Sequence, residues 1–229
     1  SLSLGQVRDV INGKMVLGEQ KEIQEVKNAY AAYEKLDSID PYRMESLKEL
    51  HGVMTRYVVE ESGEFRMGEE GVFNGDVCIF MCPPARLVSG QMEKLFRWMK
   101  KAKEKVHPLI LSSVFHYEFE FIHPFADGNG RMGRMWQTLL LMQWQPIFAW
   151  LPVETIVKEH QQQYYQASVQ SDATANSTPF ITFMLQCILK ALQEIEKSNQ
   201  KSNQKSNQKI LTEIRKNPKI SIKELQEIT

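Results

Sequence analysis

Apolar residues recur at three- and four-residue spacing through most of this chain, a period that predicts helices. Leu111, Val114, Phe115, Phe119 and Ile122 share one helical face, and Met132, Met135, Trp136, Leu139 and Leu140 share another. The pattern predicts helices over 4–12, 19–36, 43–60, 87–105, 108–122, 130–144, 153–171 and 178–196. One stretch, EGVFNGDVCIFMCPP, departs from it. There Asn74-Gly75 stands between Val72-Phe73 and the apolar run Val77 to Met81, the combination that signals a β-hairpin. Pro83-Pro84 stops the extended segment before the next helix. The fold class expected is mainly α, a helical bundle with one hairpin.

The C-terminal stretch changes character. From Lys197 the chain reads KSNQKSNQKSNQK, three tandem copies of one tetrapeptide. Ser and Asn are poor helix formers and nothing there can be buried, so 197–209 reads as a solvated linker after a main domain over 1–196. Beyond it, 210–229 reads as a small helical unit. Ile210, Leu211 and Ile214 predict one helix ended by Asn217-Pro218, and Ser221 with Glu224 forms a capping box for another. Twenty or so residues cannot bury a core alone, so this unit must lean on something else.

Composition narrows the function classes. The chain has 229 residues, 42% hydrophobic and 24% charged, enough for one sizeable core. Its 28 basic and 28 acidic residues cancel, so no global field points to nucleic acid or a membrane surface. Cys78, Cys82 and Cys187 make an odd count without paired zinc spacing, which reads as reduced thiols in a cytoplasmic protein. No apolar run reaches membrane-helix length, no signal peptide is visible, and the first residue is serine.

The chemistry concentrates in His123 to Arg134, HPFADGNGRMGR. A Gly-Asn-Gly turn just ahead of a helix lets successive N–H groups converge, and the helix N-terminus adds roughly half a positive charge. Such a loop suits an anion, phosphate above all. His123 can accept a proton at neutral pH, Asp127 offers a hard oxygen to Mg²⁺, and forked guanidiniums at Arg131 and Arg134 suit phosphate oxygens. A plain capping turn would use Asp127 and Asn129 but would need neither the histidine nor both arginines. His51, His107 and His160 read as ordinary helix residues, and His116, two turns before His123, is given no metal role. Phe115, Phe119, Phe121 and Trp136 read as core.

This loop resembles the Fic-domain signature H-x-F-x-[DE]-G-N-G-R-x-x-R at every fixed position. The resemblance runs over roughly 2–196, taking in LSLGQVRDVINGK, LKELHGVM, the Pro83-Pro84 pair, Tyr164-Tyr165 and STPFITFML. It implies a Fic helical bundle that transfers AMP from Mg-ATP to a Ser, Thr or Tyr hydroxyl of a target protein. His123 would be the base and Asp127 the metal ligand; Gly128, Asn129, Gly130, Arg131 and Arg134 would hold the phosphates. Tyr164, Tyr165 and Asp172 would line the adenine pocket, although Ser168 and Asp172 depart from the usual family pattern. The hairpin, Phe73, Asn74, Gly75, Asp76, Val77, Cys78 and Ile79, would be a flap whose edge pairs with the target. The stretch 210–229 resembles the start of a winged helix-turn-helix module, implying DNA binding once completed beyond Thr229.

Three other readings stay open: another nucleotide or a phosphocholine donor, removal of AMP, and a nucleotide-sensing transcription regulator. A homodimer is also left open. The inhibitory motif [ST]-x-x-x-E-[GN] of many Fic proteins has no match here, so Arg134 is expected without an inhibitory glutamate from within this stretch. In relatives with an N-terminal inhibitory helix, that motif falls just ahead of a segment like LSLGQVRDVINGK. The expectation is therefore an inhibitory helix before Ser1, or a separate inhibitor protein.

Overall fold

The structure, a computed structural model, describes residues 2–74, 77–151 and 153–216. In chain order its helices are α1 (Leu4–Ile11), α2 (Gln20–Lys35), α3 (Met44–Thr55), α4 (Ala85–Ala102), α5 (Pro108–Ile122), α6 (Asn129–Trp144), α7 (Val153–Glu159), α8 (Gln161–Thr174) and α9 (Thr178–Lys216). Two strands, β1 (Gly71–Asn74) and β2 (Val77–Met81), lie between α3 and α4. They pair antiparallel with Gly71 opposite Met81 and Asn74 opposite Val77, and the register shifts between Val72 and Phe73. The turn residues Gly75 and Asp76 lie outside the described residues.

The helix pair α5 and α6 divides two cores. On one side, Phe115, Phe119, Met132 and Trp136 pack with Leu47 and Leu50 of α3 and Met92 and Met99 of α4. On the other, Tyr117 and Leu141 pack with Ile156 of α7, Ala167 of α8 and Phe180 and Met184 of α9. Full burial of each large apolar side chain contributes about 1.5–3 kcal/mol, so these layers hold the site's frame. Trp136 is completely buried yet satisfied, because its indole N–H donates to the carbonyl of Pro41 at 3.2 Å. Gly133 lets α5 and α6 approach: a Cβ there would lie 2.6 Å from Glu120 Oε1 and 3.2 Å from Phe119 Cδ1.

Helix ends follow local chemistry. Ser3 and Gln6 form a reciprocal capping box at α1. Pro108 opens α5, where its missing N–H costs nothing, and the His107 side chain accepts from the Leu109 N–H at 3.3 Å.

Three boundaries differ from expectation. The helix predicted over 43–60 ends at Thr55, followed by Tyr57 in the left-handed region at φ 62°. The return loop brings the N–H of Gly63 onto His51 Nδ1 at 3.0 Å, a contact invisible to periodicity. The helix predicted over 153–171 is two helices broken at His160. At the break, His160 donates to the Ile156 carbonyl at 2.9 Å and lies 3.2 Å from the ammonium of Lys190 on α9. Finally, the helix predicted over 178–196 continues through the KSNQ repeat to Lys216. Nucleation is the costly step of helix formation, and a helix already nucleated by buried Phe180, Met184 and Ile188 propagates at little cost through Lys and Gln. Ser221 and Glu224, with the rest of 217–229, lie outside the described residues.

Candidate active site

Residues His123 to Gly128 connect the end of α5 to the start of α6. His123 is the C-cap of α5 and takes a left-handed backbone, φ 51° and ψ 61°, uncommon for a side chain larger than glycine. Its Nδ1 faces the Glu120 carbonyl at 3.4 Å. A carbonyl only accepts, so Nδ1 carries the proton and the lone pair resides on Nε2. Burial lowers the imidazole pKa; the Glu120 carbonyl opposes that shift and the Arg66 guanidinium adds to it. The ring is therefore neutral at pH 7 and able to take a proton.

The loop is braced from beneath. Phe125 is fully buried and stacks on His51, centroids 3.7 Å apart and planes 4° from parallel. With Gly63 donating to Nδ1, His51 donates through Nε2 to the Asp127 carbonyl at 2.9 Å. Burial is the main cause of its lowered pKa, which keeps this tautomer neutral. His51 is thus a structural support of the loop and not an ordinary helix residue. Its only sequence signal was a histidine on the apolar face of α3.

Asn129 braces the loop through its side chain. Its Oδ1 accepts from the Phe125 N–H at 2.9 Å and its Nδ2 donates to the Phe125 carbonyl at 2.6 Å, with the residue 2% exposed. The side chain closes the loop on itself, so any hold on an anion would come from its backbone N–H and the second hydrogen of Nδ2. Gly128, with φ 86°, starts α6 in a conformation that side chains resist. Gly130 sits beside Arg134, whose Nη1 would be 3.0 Å from an added Cβ.

The charged groups of the loop and of α6 are paired with acids. The half-exposed Asp127 accepts through Oδ1 from the Gly128 N–H and, at 3.4 Å, from Arg131 Nη2. Arg131 Nη1 also lies 3.6 Å from Glu25 Oε1 on α2. Arg134 donates Nε–H to Glu154 Oε1 at 3.0 Å, and Tyr33 of α2 donates to Glu154 Oε2 at 3.5 Å. The sequence, lacking the inhibitory motif, predicted no such partner for Arg134. Glu154, from α7, supplies one. Both arginines are therefore held by partly exposed acids, and such pairs contribute only about 0–1 kcal/mol each. A polyphosphate, with higher charge and several oxygens, can displace them.

The expected adenine residues divide. Tyr164 is packed against Phe180 and Phe183, and its hydroxyl meets His116 Nε2 at 3.3 Å. That makes it part of the core between α5, α8 and α9 and not a free stacking face. Asp172 accepts from the Tyr117 hydroxyl at 2.6 Å, a tie between α8 and α5. All three side chains stay partly exposed, and the Tyr165 hydroxyl accepts from Gln161 at 3.3 Å. The side chains of Phe73, Val77, Cys78 and Ile79 lie outside those described, so the hairpin enters by its backbone pairing alone.

Two further groups escaped sequence reasoning. Arg66 is 3% exposed and bonds the loop's carbonyls, including His123 O at 2.7 Å. Behind α6, His116 donates to Gln137 Oε1 at 2.6 Å and lies 3.7 Å from Glu120 Oε1. Burial drives the His116 pKa down to about 4 and that of Glu120 up to about 7. Among the described residues, no cluster of three or more His, Cys, Asp or Glu could hold a metal by itself. No described helix is long and apolar enough to cross a membrane.

Comparison with known proteins follows the same outline. Residues 38–141 match the Fic/DOC family. A Fic family protein from Desulfovibrio desulfuricans G20 superposes with a TM-score of 0.82 at 46% identity, over 87% of this chain and 61% of that one. Fic-1 from C. elegans superposes with a TM-score of 0.64 at 22% identity, over 86% of this chain and 60% of that one, a likeness of fold. Among curated proteins, "Protein adenylyltransferase Fic" of Culex quinquefasciatus is 28% identical over 193 residues, 80% of this chain and 36% of that protein. The Aedes aegypti protein of the same name is 27% identical over 198 residues, again 36% of its length. This chain thus spans about a third of the length of those relatives.

Proposed function

From the premise that this chain belongs to the Fic/DOC family, with its family domain at residues 38–141, we propose that it transfers AMP from ATP to a hydroxyl side chain of a target protein. The observation that carries this reading is a neutral His123, lone pair on Nε2, leading into a glycine turn at the N-terminus of α6 with Arg131 and Arg134 on that helix.

In the reaction, the target oxygen attacks the α-phosphorus while His123 Nε2 takes the hydroxyl proton. A new P–O bond forms, the bond to the β-phosphate oxygen breaks, and pyrophosphate leaves. General-base assistance of this kind contributes about 10²–10⁴ in rate. The N–H groups at Gly128 to Gly130 and the dipole of α6 stabilise phosphate oxygens. Arg131 and Arg134 leave Glu25 and Glu154 to engage the departing β- and γ-phosphates. Mg²⁺, when bound with the nucleotide, would neutralise charge across the phosphates. Asp127 fits it, being a half-exposed hard donor beside the anion turn, and Mg²⁺ typically takes only one or two carboxylates with substrate phosphates. A target strand adding to the β1–β2 edge would present its hydroxyl through main-chain bonds with little regard to sequence.

The test is incubation of the chain with α-labelled ATP and a protein extract, then mass spectrometry of the products. Transfer is expected from the unmodified chain and is abolished in His123→Ala, while ATP binding survives in both. Near-equal transfer by the alanine variant would overturn the mechanism.

A further inference from the structure

Arg66 lies outside the signature loop, yet it is among the most deeply placed charges in the molecule, 3% exposed. Its guanidinium bonds are all to backbone carbonyls. Nε donates to His123 O at 2.7 Å, Nη1 to Gly68 O at 2.8 Å, and Nη2 to Pro83 O at 2.6 Å and Ile122 O at 3.4 Å. Its own backbone N–H donates to Pro124 O at 2.9 Å. Residue 66 therefore holds three consecutive carbonyls of the loop, 122 to 124, while the same side chain grips the chain on both sides of the hairpin. Gly68 precedes β1 and Pro83 follows β2, and the Cys82 N–H donates to Glu70 O at 3.1 Å to close the hairpin's base.

We propose that Arg66 is a positioning residue that fixes His123 relative to both roots of the β1–β2 hairpin, so that a hydroxyl delivered on the hairpin meets the base in register. The proposal rests on the transfer reading above for its catalytic part. Two physical points carry it. A buried charge is a poor way to gain stability, since an apolar residue of similar volume often does as well. What Arg alone offers is a planar fork whose donors reach several acceptors at fixed angles. The second point is the left-handed His123, a conformation that persists only where its surroundings over-determine it. Arg66 is bonded to the carbonyl of that residue and to its neighbours on each side.

Lysine retains the charge at this position but not the fork. In Arg66→Lys, the ratio of AMP transferred to protein over AMP released to water should fall about tenfold or more, since small misplacements of reacting groups can cost about 10²-fold. ATP affinity should stay within about twofold, because the phosphates are held by α6 and its arginines. Water needs the base but not the hairpin, so an unchanged ratio would overturn the proposal. The unmodified chain supplies a second measurement that needs neither the variant nor transfer. In denaturant-dependent hydrogen exchange, amides of 66–70, 81–82, 122–123 and 125–126 should open together as one unit. If the hairpin roots open at lower denaturant than 122–126, the coupling is refuted. A chain that shows no transfer to protein refutes the functional reading instead, and the exchange measurement still decides whether Arg66 couples the two segments.

Discussion

Arg134 and Glu154, twenty residues apart in sequence, meet through a 3.0 Å hydrogen bond between α6 and α7. Burial lowers the arginine pKa but the pair with Glu154 outweighs it, and the bond occupies the Nε–H on the residue proposed to hold a nucleotide's terminal phosphate. Glu154 belongs to no inhibitory motif, so its position is a product of packing.

Glu154→Gln should therefore tighten ATP binding by up to about fivefold, the equivalent of about 1 kcal/mol for a half-exposed pair. Calorimetry at low and high salt would show it, with the difference between the proteins shrinking as salt rises. Weaker ATP binding by the glutamine variant would mean that Glu154 orients Arg134 and does not compete for it.

Glu120 and His116 predict opposed pH dependences. The carboxyl of Glu120 has a folded pKa of about 7, above its unfolded value, so its burial weakens the fold as pH rises from about 4.5 to 7. His116 has a folded pKa of about 4, below its unfolded value, so its burial weakens the fold as pH falls from about 6.5 to 4. Arg134 and Tyr164 face the same group of side chains. In the unmodified chain the two effects offset each other. Glu120→Gln should expose the histidine's share, a loss on the order of 3 kcal/mol between pH 6.5 and 4. Urea midpoints across that range measure it; parallel profiles for the two proteins would remove the opposition.

Asp127→Ala should separate metal-dependent from metal-independent binding. The carboxylate is half exposed, so the fold should survive its loss. ATP affinity in Mg²⁺ should drop about tenfold or more, with little difference in EDTA. Equal affinities in Mg²⁺ would take Asp127 out of the metal site.

The helices around the loop were legible because burial on one face imposes a 3.6-residue period directly on sequence. Helices α5 and α6 begin and end within a residue of the 108–122 and 130–144 that periodicity predicts. The break at His160 was not legible, since no glycine or proline marks it and the contact His160 makes with Lys190 of α9 is remote in sequence. Nor was the helical KSNQ stretch, where continuity with a buried helix outweighs weak local propensity.

The same division runs through the site. By itself the sequence determined the chemistry available: a base, a carboxylate, a glycine turn and two arginines within HPFADGNGRMGR. Those are contiguous, so their order along the chain is nearly their order in space. Tertiary structure alone decided what surrounds them. It commits Tyr164 and Asp172 to core partners, brings His51 and Arg66 to the loop, and sets Glu154 against Arg134 of α6. The physical reason is that a hydrogen bond or ion pair between remote residues leaves no period in the sequence. It exists only once apolar burial has folded the helices that carry its two ends.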